Sequence, residues 1–167
     1  MSRNVVEHDQ LPTGSSIARV ANKAVELGLL IEIVRMEQST RTAQEAADSC
    51  GCSVGQIVKS LVFENAQTGA LTLLLVSGAH DADLAHVEAR HGLKLQRCDG
   101  RRVRDETGFA IGGVAPIGHK IDIPVYIDKA LLAYDVVWAA AGRPDSVFSV
   151  DPKSLAEKIN ATIIGVR

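Results

Sequence analysis

The sequence predicts an α+β fold, a mixed sheet with helices around it, on three observations. Strand-like segments outnumber helical ones. They do not alternate strictly with helices, as repeated βαβ units would. The first half also carries a hairpin signature: an alternating run at 57–64, turn residues from Asn65 to Gly69, and an apolar run at 70–77. With 167 residues and no repeat, linker or low-complexity tract, one domain is expected over 1–167, with 1–14 as a frayed lead-in.

The elements follow in order. Ser15 or Ser16 caps a helix whose apolar positions Ile17, Val20, Ala21, Ala24 and Leu27 recur at helical spacing, and Gly28 ends it. Residues 30–34 read as a short strand, and 42–49, rich in Ala and Glu, as a second helix. Ser53 stands three residues before Gln56, a capping box for one helical turn that leads into the hairpin. Asp81 or Asp83 caps a helix running to His91 and closed by Gly92. Residues 93–98 are strand-like and 103–107 a short helical turn. Strands are expected at 124–127, 136–140 and 147–150. Asp151-Pro152 opens a helix through Asn160, and 162–166 is a closing strand.

Composition narrows the function. A 46% hydrophobic and 23% charged chain is ordinary for a globular protein. One Trp, two Tyr and three Phe are too few for a broad base-stacking platform. A net charge of -2 excludes holding nucleic acid by bulk electrostatics, so any RNA contact must be local. Cys50, Cys52 and Cys98 are odd in number, and the first two are too close for an easy bridge, so reduced thiols are expected. Residues 1–11 are polar, unlike a signal peptide, and the apolar run at 71–76 is far below the roughly 20 residues of a spanning helix. No membrane association and a cytoplasmic location are expected.

Several residues could carry chemistry. Lys59 lies in an apolar strand, Gln56-Ile57-Val58-Lys59-Ser60-Leu61-Val62-Phe63. It is either an ammonium on the solvent face of an edge strand or a cleft lysine that binds phosphate or polarises an oxygen. Residues 109–119 hold Gly112, Gly113, Pro116 and Gly118. Such a loop is either a tight turn between strands or a concave anion or oxyanion site built from successive amides. It matches neither a P-loop nor a dinucleotide fingerprint. His119, directly after it, is a candidate general base, hydrogen-bond donor or packed ring. His80, Asp81, Asp83 and His86 lack metal-ligand spacing and read as caps and helix surface, so neither metal nor cofactor is expected. Cys52 has no partner of a known nucleophile pattern around it. Arg97, Arg101, Arg102 and Arg104 belong to a basic run that is either a solvated face or the grip on an RNA backbone.

Two separated motifs then agree with one family. Val-Lys-Ser-Leu-Val-Phe from Val58, followed by Thr-Gly-Phe-Ala-Ile-Gly-Gly-Val-Ala-Pro-Ile-Gly-His from Thr107, resembles the YbaK/prolyl-tRNA synthetase-associated editing domain. Val137-Trp138-Ala139-Ala140-Ala141-Gly142 and the helix after Asp151 are similar as well, and the likeness spans about 15–165. The resemblance implies a YbaK-like α+β domain whose mixed, largely antiparallel sheet is partly barrel-like. It further implies hydrolysis of the ester of mischarged tRNA, chiefly tRNA(Pro), with prolyl-tRNA synthetase as a candidate partner. Lys59 would be the signature functional residue. Gly112 and Gly113 would offer amides to the carbonyl oxygen, and His119 would bind or orient the amino acid. Val114, Pro116, Gly118 and Gly142 would shape the pocket. Ala115 in place of Ser or Thr, and Ala140 in place of Ser in the cysteine-removing branch, bear on which amino acid is removed. A non-catalytic module that binds a nucleotide or aminoacyl group in the same pocket is the alternative.

Overall fold

The computed structural model describes residues 3–5, 14–37 and 42–167. Its strands are β1 (Arg3–Val5), β2 (Ile33–Met36), β3 (Val58–Asn65), β4 (Leu71–Ser77), β5 (Leu95–Arg97), β6 (Val125–Asp128), β7 (Val137–Arg143), β8 (Ser146–Val150) and β9 (Thr162–Ile164). Its helices are α1 (Ser16–Leu27), α2 (Ala43–Cys50), α3 (Leu84–His91), α4 (Gly100–Thr107) and α5 (Pro152–Lys158). Short 3-10 turns sit at Val54–Gln56 and Lys129–Ala133.

The strands form two sheets. One has the order β1-β2-β8-β7 and is antiparallel throughout. The other, β5-β3-β4-β6-β9, is mixed: β6 runs parallel to both β4 and β9. They meet where Ile57, just before β3, bridges Trp138 of β7. The α+β class and mixed sheet are as expected, and the barrel-like character is confined to this corner between two sheets. β1 is a correction: Arg3–Val5 lies in the stretch read as a frayed lead-in, yet pairs with Val34–Met36 of β2.

Local chemistry explains the boundaries. Ser15 Oγ accepts the Ala18 amide at 3.1 Å, and Gly28 ends α1 in the left-handed region. The buried stripe of α1, Ile17, Val20, Ala21 and Ala24, faces the central core, with α1 packed against β7. Thr42, Asp83, Asp99 and Asp151 cap α2 to α5 in the same way. In the hairpin turn, Asn65 Oδ1 accepts the amides of Gln67 and Thr68 at 2.9 and 3.3 Å. β4 is buried along its whole length because β3 and β6 flank it and core packs on both faces.

Candidate functional site

The corner between the sheets is a cavity of about 150 Å³. Ala43 and Ala46 of α2, Lys59 of β3, Ala139 and Ala140 of β7, and Gly112 line it, among others. Lys59 is one of the lining residues, and its side chain is 26% exposed. It donates to the backbone carbonyl of His80 and stands 3.6 Å from Asp81 Oδ1. The carboxylate is fully exposed, so the ammonium keeps one side toward protein and one toward solvent.

The turn that receives Lys59 is tightly bonded. Gly78 N donates to Ile57 O at 2.7 Å, His80 N to Ser77 O at 2.9 Å, and Ser77 Oγ to Gly55 O at 2.8 Å. Beneath it, the buried Asp128 carboxylate accepts from Ser77 N at 3.1 Å and from His80 Nδ1 at 3.0 Å through one oxygen. Its other oxygen accepts from Ala130 N at 3.0 Å. Sequence reasoning passed over Asp128 and assigned His80 to helix surface. An acid ending an otherwise apolar strand, Val125-Tyr126-Ile127-Asp128, was the available signal.

The glycine loop divides its residues between two places. Gly112 is exposed at the mouth of the Lys59 cavity. Gly113 does not offer a free amide: its N–H donates to Ala110 O at 3.0 Å, closing a tight turn. A Cβ there would come within 2.9 Å of Arg143 Cα, so the glycine serves close backbone packing. Val114 is core. Gly142, with φ 104°, lies so close to α1 that a Cβ would meet the Ser16 carbonyl carbon at 2.9 Å.

His119, Pro116 and Gly118 face another cleft, about 520 Å³, between α1 and the 116–123 segment. His119 Nε2 donates to Ala115 O at 2.7 Å, and its ring meets Phe109 edge-on at 5.1 Å. Nδ1 is buried without a hydrogen-bond partner. Burial, with the Arg19 guanidinium adding to it, pushes the imidazole down to about 4, so it is neutral at neutral pH. His119 and Lys59 thus line different clefts, and the loop packs the imidazole against Phe109.

The basic run also splits. Arg97, Arg101 and Arg104 are exposed. Arg102 is engaged: it pairs with Glu64 of β3 and Glu106 of its own helix, and donates to Gly69 O at 2.6 Å in the hairpin turn. It ties α4 to the hairpin and is not a free phosphate contact. Among the described residues no group of three or more His, Cys, Asp or Glu is placed to hold a metal ion. None of their helices is long and apolar enough to cross a membrane.

An antiparallel sheet and a mixed sheet joined at a corner form a fold that solved proteins share. Residues 37–158 match the aminoacyl-tRNA editing domain, and the chain belongs to that family. It is 34% identical over 128 residues to "Uncharacterized protein YwhH" of Bacillus subtilis, covering 75% of this chain and 80% of that one. It is 26% identical over 120 residues to "Putative Cys-tRNA(Pro)/Cys-tRNA(Cys) deacylase EbsC" of Enterococcus faecalis, covering 71% and 73%. Among solved structures, a "putative trans-editing enzyme for prolyl tRNA synthetase" superimposes with a TM-score of 0.83 at 40% identity, over 95% of this chain and 99% of that one.

Proposed function

We propose that this chain is a cytoplasmic, single-domain trans-editing deacylase that hydrolyses tRNA(Pro) carrying a small non-cognate amino acid. The observation that carries the reading is the cavity itself: about 150 Å³, lined by Lys59 with Ala43, Ala46, Ala139 and Ala140 and bounded by larger apolar side chains such as Ile57 and Trp138. The size suits a small aminoacyl group. The family membership and the names of the similar proteins support the ester of a mischarged tRNA as the substrate.

Editing fits these residues physically. A synthetase pocket separates similar small side chains poorly, so a second site hydrolyses what slips through. The aminoacyl ester is labile, so the site has to position a water and stabilise the oxyanion that forms as it attacks the carbonyl carbon. The ester C–O bond then breaks, releasing the free amino acid and the terminal ribose hydroxyl. The Gly113 amide is engaged and His119 faces another cleft, so Lys59 carries the electrostatic part, either at the ester or at the terminal phosphate.

Deacylation measured over a panel of mischarged tRNAs, with the native chain and Lys59→Ala, tests this. The native chain is expected to release a small amino acid from tRNA(Pro). Lys59→Ala should cut turnover by orders of magnitude with little change in melting temperature. No hydrolysis across the panel, with tRNA or aminoacyl binding intact, would make the chain a binding module. Unchanged turnover in the variant would remove Lys59 from the chemistry.

A further inference from the structure

A lysine side chain has four rotatable bonds, and holding its ammonium in one place requires a fixed acceptor. Lys59 has one in the His80 carbonyl. The His80 ring is hydrogen-bonded through Nδ1 to Asp128 Oδ2, which also receives the Ser77 amide at the other end of the same turn. Asp128 is 1% exposed, and a carboxylate is costly to bury unless its oxygens are occupied. Capping the 3-10 turn at Ala130 needs only one oxygen. The second oxygen gathers Ser77 and His80, and nothing in the cap requires that.

We propose that Asp128 and His80 are positioning residues for Lys59. The buried carboxylate clamps the His80 imidazole, the clamped residue presents its carbonyl at one point, and the ammonium docks there, which fixes the lysine that lines the cavity. Asp81, fully exposed, cannot do this alone, because a solvent-screened carboxylate 3.6 Å away holds a flexible side chain weakly. The inference rests on Lys59 being the group that meets the aminoacyl end, and it assigns no proton transfer to His80.

The test separates positioning from both catalysis and folding. His80→Ala removes the clamp at a half-buried site, while His80→Asn keeps a side-chain N–H close to where Nδ1 donates to Asp128. Trace labelling of lysines with acetic anhydride, read by mass spectrometry, reports Lys59 against Lys23, Lys94 and Lys153 in the same sample. Lys59 reactivity should change several-fold in His80→Ala, stay near native in His80→Asn, and leave the other lysines unmoved. Deacylation should fall about tenfold in His80→Ala, the scale of one lost charge-assisted hydrogen bond, chiefly in kcat, and recover in His80→Asn. In a Lys59→Ala background, His80→Ala should cost nothing further. Unchanged Lys59 labelling in His80→Ala would overturn the proposal. So would a His80→Asn variant as impaired as His80→Ala, since the imidazole itself would then be needed. The labelling arm is independent of deacylase activity, so it decides the positioning even if no mischarged tRNA proves to be a substrate.

Discussion

The partly buried His119 makes a quantitative demand on stability. Its ring is held neutral down to about 4, against an ordinary value of 6.5, mainly by burial. Above pH 6.5 neither the folded nor the unfolded chain protonates it, and it has no effect on the pH dependence. As pH falls below 6.5, the unfolded chain takes up a proton at this site while the folded chain does not, so stability declines. The decline ends near pH 4, where the folded ring protonates too. A gap of roughly 2.5 pH units at about 1.4 kcal/mol each amounts to about 3 kcal/mol. His119→Phe removes the titration and leaves an aromatic ring against Phe109. Urea unfolding of both proteins between about pH 7.5 and pH 4 then isolates the site, because the other carboxylates and histidines cancel in the difference. The native chain should lose about 3 kcal/mol more than the variant over that range, whatever their offset at neutral pH. Parallel stability curves would refute the placement of this ring.

Three further outcomes follow from the packing. Gly142→Ala should lose about 2–4 kcal/mol in chemical denaturation, combining a Cβ at positive φ with overpacking against the Ser16 backbone; a loss under about 0.5 kcal/mol would contradict it. Arg102→Ala should speed amide exchange at 65–70 without altering the salt dependence of tRNA binding, whereas Arg101→Ala should lower the salt slope by about one if it meets a phosphate. The reverse pattern, measured by exchange and salt-titrated affinity, would return Arg102 to the RNA face. Ala140→Leu should fill much of the cavity and block turnover of the aminoacyl ester while Lys59 labelling stays native; undiminished turnover would place the amino acid elsewhere.

Much of the architecture was legible because it is decided over a few residues. Ser15 and Gly28 bound α1, Asn65 to Gly69 shape the hairpin turn, and Pro152 opens α5, each through bonds or dihedrals its own neighbours supply. The motif around Lys59 and the glycine loop was likewise enough to indicate the family that the match over 37–158 shows. What the sequence could not determine by itself was pairing and facing. β1 was missed because three residues carry too little pattern, and it is a strand only by virtue of its register with β2. Placing β6 between β4 and β9 in parallel joins segments about fifty and thirty-five residues apart, a choice made by burial on both faces. The same holds for the site. Lys59 and Gly112 come to one cavity, His119 turns to Phe109 and α1, and Arg102 is taken up by two carboxylates. Asp128 reaches under Ser77 and His80 from a strand about fifty residues later. A sequence specifies which groups are present and how each turn begins and ends; only close packing decides which of them share a surface, because a side chain's partners are set by the elements that exclude water around it.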